Sequence, residues 1–235
     1  MCRLLLLHDP EGVEPGVHLP EFRALSRDSR EYQGHGWGCA WLDEQDRWRL
    51  YHNIRPVWED KSPAFPRTAL FIAHARSAFQ DEGIAIENNM PFSDGDNVFV
   101  FNGELRGVRI REDGRIGAEK IFNYIKRFDK GDMGDAVRRG VDVIQKRTRY
   151  VRAMNFFLAN RRRVFIVSVF SEDPEYFQLR ETTMGGTKVV CSEPYREDEH
   201  EWTPIPNRTI ASIDVETSSA SGESRNSAFS PPEGG

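Results

Sequence analysis

Cys2 is the residue whose type and position most directly allow chemistry in this sequence. Removal of Met1 would leave it first in the chain, carrying a thiol and a free α-amine on one residue. An α-amine titrates near about 7.7–8.0, so around neutrality part of it is an available base. A base beside a weak nucleophile is what nucleophilic catalysis requires, and an N-terminal residue supplies both. The competing reading is a small buried residue opening a strand, because Arg3 is followed by four leucines and free cysteines are usually buried hydrophobes.

Five further motifs place polar residues or glycine at the ends of apolar runs. They are Gly36-Trp37-Gly38, His74-Ala75-Arg76, Asn88-Asn89-Met90-Pro91-Phe92, Phe101-Asn102-Gly103 and Cys191-Ser192-Glu193-Pro194. Singly each is weak. Asn-Gly is a common hairpin turn, and an arginine after a strand is usually solvated or ion-paired.

The elements that must position these residues follow from apolar patterning. Residues 4–7 read as a buried strand, broken by Asp9-Pro10 and a Gly/Pro-rich loop to Pro20. Residues 22–32 read as a short helix. Residues 36–42 and 48–51 read as paired strands, and residues 70–73 and 98–101 as strands running into their motifs. Ile121, Phe122, Ile125 and Phe128 share one helical face, as do Val137, Val141 and Ile144. A hairpin at 156–159 and 164–170 follows, then strands at 177–180, 188–191 and 209–213. Strands, then helices, then strands imply an antiparallel α+β fold without Rossmann alternation. The ordered domain is expected over residues 1–213. Residues 214–235 are expected as a disordered tail, because Ser, Gly, Glu and Pro there offer little to bury.

Bulk properties narrow the function classes. The 235 residues fit one large domain or two small ones, and 38% hydrophobic content with 15 Phe and 5 Trp supports a sizeable core. A net charge of −5 gives no global attraction to nucleic acid or anionic membrane. Arg161-Arg162-Arg163, and Lys146 and Arg147 with Arg149 and Arg152, read as solvated surface, so no nucleic-acid partner is expected. Cys2, Cys39 and Cys191 form an odd, sparse set, which points to a reducing, cytoplasmic setting rather than a disulfide framework. The six histidines lack ligand spacing, so no metal and no cofactor is expected. The opening apolar run is too short for a signal peptide, and no run reaches membrane-spanning length.

Taken together with Cys2, in this order and spacing, the motifs resemble the class II glutamine amidotransferase family, and most closely its free-standing members. Arg55-Pro56-Val57-Trp58 before His74-Ala75-Arg76, and Ser192-Glu193-Pro194 before Glu201-Trp202-Thr203-Pro204-Ile205-Pro206, match that subgroup. The resemblance implies a four-layer αββα sandwich of the N-terminal-nucleophile hydrolase type. It implies that Cys2 attacks a side-chain amide, that Asn102 and Gly103 form the oxyanion hole, and that Arg76 clamps the substrate α-carboxylate. Gly36, Trp37 and Gly38 would line the nucleophile. Water would then release the acyl group from a thioester. A small-molecule amide, glutamine or a γ-glutamyl compound, is the implied substrate, and a separate synthetase is a possible partner. A non-catalytic module with the same fold is the reading from another class.

The departures fall in the substrate pocket. Gly117 stands where the family has an aspartate for the α-ammonium, and Phe79 where it tends to have Thr or Asn. Met90 and Phe101 replace two family histidines. A buried ammonium without a carboxylate is costly. Either the substrate has a modified or absent α-ammonium, or Asp81, Asp94 or Asp113 reaches the pocket.

Overall fold

The computed structural model describes residues 1–78, 80 and 82–215. Twelve strands form two sheets among these residues. The seven-stranded sheet runs β11 (Thr203–Pro204), β9 (Arg180–Met184), β10 (Thr187–Cys191), β1 (Arg3–Val13), β4 (Thr68–Ala75), β2 (Trp37–Leu42) and β3 (Trp48–Asn53). The five-stranded sheet runs β12 (Thr209–Asp214), β8 (Arg163–Ser168), β7 (Thr148–Ala159), β6 (Val98–Val108) and β5 (Phe92–Ser93). All pairings are antiparallel.

The four leucines of β1 show why two layers must cover this strand. Successive side chains point to opposite faces, yet Leu4 to Leu7 are all fully buried. Leu5 and Leu7 pack with Leu19 and Phe22 of helix α1 (Pro15–Arg27). Leu4 and Leu6 share a core with Val98 and Val100 of β6. On the far side of the five-stranded sheet lie α2 (Gly117–Lys126) and α3 (Met133–Lys146). Phe122 of α2 stacks on Phe99 with ring centroids 5.2 Å apart. The layers are therefore α1, sheet, sheet and the α2–α3 pair, an α+β fold of αββα type.

Local chemistry moved several boundaries. The first helix begins at Pro15, inside the stretch expected as loop, and ends at Arg27 rather than running from 22 to 32. Proline suits the first helical position, where its missing N–H costs nothing. β1 continues past Asp9-Pro10 to Val13 through a register irregularity. Of the strand expected at 177–180 only Arg180 is strand, as the start of β9, while Phe177 ends the short helix α4 (Pro174–Phe177), entered through Asp173 in the left-handed region (φ 53°). β9 follows it. Asn102-Gly103 is no hairpin turn; it lies within β6, paired to Asn155 and Met154. β12 extends to Asp214, the first residue of the expected tail, whose residues 216–235 lie outside the described residues. Among the described residues no helix is long and apolar enough to cross a membrane.

Gly140 sets the approach of α3 to α2, since a Cβ there would stand 2.8 Å from Ile125 Cγ1. Gly140→Val is expected to lower stability by about 1–3 kcal/mol through overpacking. Urea unfolding of the variant checks this, and an unchanged midpoint contradicts it.

Candidate active site

β1 and β4 lie side by side with Leu4 opposite His74 and Arg3 opposite Ala75. That register brings Cys2 level with the start of the segment after β4. The Cys2 thiol is buried at 8% exposure; it accepts from Ser77 N–H at 3.4 Å and lies 3.6 Å from Ser77 O. Burial pushes the thiol above its ordinary value, while the N-terminal charge, the Ser77 N–H and Arg76 pull it down. Cys39 and Cys191 are free and buried within the sheet.

Arg76 follows β4 directly and is only 4% exposed. Its backbone is tied to the glycine motif: Arg76 N donates to Gly36 O at 2.9 Å and His35 N donates to Arg76 O at 3.1 Å. Its guanidinium donates to Gly83 O at 2.8 Å and reaches Asn89 Oδ1 at 3.5 Å. Among the described residues it has no carboxylate partner, and burial lowers its pKa. A buried guanidinium held by neutral oxygens is a strong site for an anion.

Gly36 must be glycine here. Its φ is +101°, and a Cβ would stand 2.1 Å from Asn89 Nδ2. Trp37 is fully buried and donates to Asp60 Oδ2 at 2.8 Å. Asp60 also accepts from Tyr51 Oη and Asn53 Nδ2, each at 2.8 Å. This carboxylate therefore fixes the glycine segment from behind. Gly38 faces Met90 O, which a Cβ would approach to 2.5 Å.

Asn102 and Gly103 come from the facing sheet. Phe99 points to α2, so Val98, Val100 and Asn102 point to the opposite face, toward β1 and β4. His74 joins the two sheets: its Nε2–H donates to Phe101 O at 3.2 Å, immediately before Asn102. Asn102 is 1% exposed, and among the described residues neither its Nδ2 nor its Oδ1 has a partner. Its cross-strand neighbour Asn155 is fully used, donating to Phe177 O at 2.6 Å and accepting from Val169 N at 2.9 Å. At Gly103 a Cβ would stand 2.2 Å from Ala153 O.

The pocket acids weighed from sequence are placed unequally. Asp94 accepts from the Asn97 backbone and pairs with Lys126 at 3.0 Å. Asp113 is exposed. Phe79 and Asp81 lie outside the described residues. Gly117 opens α2, and a Cβ there would meet nothing within 4 Å. Its neighbour Ile116 lies 3.9 Å from a Cβ built on Gly83, the residue held by Arg76. Asn88 also donates to Gly83 O, at 3.0 Å, and its buried Oδ1 has no partner among the described residues. Of the arginine clusters, Arg161 pairs with Asp96 and Arg163 with Asp214, while Arg152 pairs with Glu31, Glu104 and Glu172. Sequence reasoning missed Asp60, Gln33 and Tyr176, whose contacts come from residues distant in the chain.

No protein-family model and no curated protein matches this chain. Solved structures do. A glutamine phosphoribosylpyrophosphate amidotransferase from B. subtilis aligns with a TM-score of 0.63 at 15% identity over 92% of this chain. The chain spans 49% of that protein, about half its length. A glutamine aminotransferase class-II domain protein from Silicibacter pomeroyi aligns at 0.54 and 16% identity, covering 91% of this chain and 99% of its own. A predicted glutamine amidotransferase from Pseudomonas aeruginosa PA01 gives 0.52 and 14% identity, with 91% and 93% covered. The chain has the fold of class II glutamine amidotransferase domains.

His74 is fully buried, and burial together with nearby Arg76 lowers its pKa from 6.5 to about 3. It stays neutral in the folded protein and protonates more readily when unfolded. Its contribution is therefore complete above pH 6.5 and is lost as pH falls toward about 3. In that window each such histidine adds a slope of about 1.4 kcal/mol per pH unit. His74→Gln is expected to flatten this slope by about one proton, read from unfolding free energy against pH. An unchanged slope contradicts it.

Proposed function

We propose that this chain is an amidohydrolase that uses Cys2, exposed by removal of Met1, to cleave the side-chain amide of glutamine or a γ-glutamyl-type compound. The observation that carries the reading is the buried Asn102 amide, which has no partner at either end among the described residues. Buried polar atoms are rarely left unpaired, and a donor preset toward developing negative charge is what acyl transfer needs.

The reaction then runs in two halves. The α-amine of Cys2 takes the thiol proton, and the thiolate attacks the amide carbon. Asn102 Nδ2 and the Gly103 N–H receive the negative oxygen. The ammonium returns its proton to the leaving nitrogen as the C–N bond breaks, leaving a thioester. Water, deprotonated by the same amine, releases the acid and restores the thiol. A reducing cytoplasm keeps Cys2 a thiol throughout.

Arg76 supplies the carboxylate clamp in this reading. With Gly117 in place of an acid, and with Asn88 Oδ1 without a partner among the described residues, the pocket suits a neutral α-nitrogen better than an ammonium. The same half-reaction could serve a separate synthetase. A co-purifying ATP-dependent ligase would identify that second reading.

Product release from L-glutamine and from N-acetyl-L-glutamine, with Cys2→Ala as control, tests the proposal. Activity is expected to vanish in Cys2→Ala; activity that survives there overturns it. Asn102→Ala is expected to lower kcat about 10²–10³-fold. Gly117→Asp has open space for its side chain and is expected to raise kcat/KM for L-glutamine relative to the acetylated substrate. An unchanged ratio overturns the pocket assignment.

A further inference from the structure

Met1 is gripped at three points. Its α-ammonium pairs with Glu31, which also pairs with Arg152 at 3.4 Å. Its side chain packs on Ala153, Phe170, Tyr176 and Phe177. Its carbonyl oxygen accepts from Gln33 Nε2 and from Tyr176 Oη, the latter at 3.1 Å. That carbonyl belongs to the peptide bond whose hydrolysis would free the Cys2 amine. The two donors are thus already aimed at the atoms where the amine would form.

Both donors are built in rather than surface contacts. Gln33 is fully buried, its Nε2 also donates to Glu31 O at 2.7 Å, and its Oε1 has no partner among the described residues. Tyr176 is 6% exposed. Its ring lies between the guanidinium groups of Arg3 and Arg30, each 4.4 Å from the centroid. Arg30 pairs in turn with Asp173, at the start of α4. Asn155 holds the other end of α4 through Phe177 O.

We infer that Gln33 and Tyr176 are positioning residues for the α-amine of Cys2 once Met1 is gone. The inference rests on the proposed reading that Cys2 is the mature N-terminal nucleophile. Removing Met1 takes away the acceptor that both donors share. A neutral amine offers them a lone pair; an ammonium offers none. The pair therefore favours the neutral amine, the form able to take the thiol proton. Arg3 on β1, Arg76 after β4 and Arg152 on β7 oppose an ammonium in the same sense. Glu31 favours it. Glu193 pairs with Arg3, and Glu104 and Glu172 pair with Arg152. The balance at the amine is thus set by two neutral donors and the Arg76 charge against the Glu31 carboxylate.

The test uses the full chain, with Met1 removal confirmed by intact mass. Labelling cysteine with 13C lets the Cys2 Cα shift report the amine titration without any substrate, and kcat and KM are measured in parallel. Tyr176→Phe keeps the ring between its arginines and removes only the hydroxyl. It is expected to raise the amine midpoint by a few tenths to about one pH unit and to lower kcat up to about tenfold at neutral pH, with KM nearly unchanged. Glu31→Gln is expected to move the midpoint the other way. A wild-type midpoint in Tyr176→Phe overturns the inference, as does Met1 retained on the purified chain. A shifted midpoint in a protein that turns over no amide sinks the proposed activity and leaves the amine seat standing.

Discussion

The hydrogen bond from His74 to Phe101 O is the contact on which the arrangement of the site depends. One sheet carries Cys2 and Arg76, and the other carries Asn102 and Gly103. The apolar core between them fixes their separation only loosely, because burial has no direction. A directed bond from β4 to the residue before Asn102 sets the slide of one sheet over the other. Full burial keeps the imidazole neutral, so the bond costs no buried charge.

Behind each sheet the same problem is solved differently. Asp60 collects three donors from Trp37, Tyr51 and Asn53, so a buried carboxylate becomes the anchor of the glycine segment. Asn155 spends its whole amide on Phe177 and Val169. Among the described residues several buried groups lack a partner, Arg3 Nε, Arg23 Nε, Ser26 Oγ and Ser168 Oγ among them, and so do the Asn102 amide, Asn88 Oδ1, Gln33 Oε1 and His74 Nδ1 of the candidate site. Unspent polar groups among satisfied ones mark places where structure has been given up for binding or chemistry. Arg76 adds a buried positive charge without a carboxylate among the described residues. Under the proposed reading the groups of the candidate site surround one substrate and one N-terminal amine.

The motifs were legible because each is a short run of unusual residues. Gly36-Trp37-Gly38, His74-Ala75-Arg76 and Asn102-Gly103 were found from spacing, and the structure brings all three around Cys2 or onto the strand facing it. The helical faces of α2 and α3 and most strands followed from apolar period. Boundaries failed where a proline or a left-handed residue decided them, at Pro15 and at Asp173-Pro174. Asn102-Gly103 looked like a turn by composition and is strand by pairing, because β7 offers a partner that the local sequence cannot show.

What the sequence determined by itself was the set of reactive residue types, their order and the alternation that builds two sheets. These are local properties, carried by side-chain chemistry and by periods of two and 3.6. Only the tertiary structure decided which of them meet. Gln33 and Tyr176 are 143 residues apart and converge on one carbonyl. His74 reaches Phe101 across 27 residues, and Arg76 ends on Gly83 O rather than on a carboxylate. Such contacts follow from how sheets stack and loops close, which no window of neighbouring residues contains.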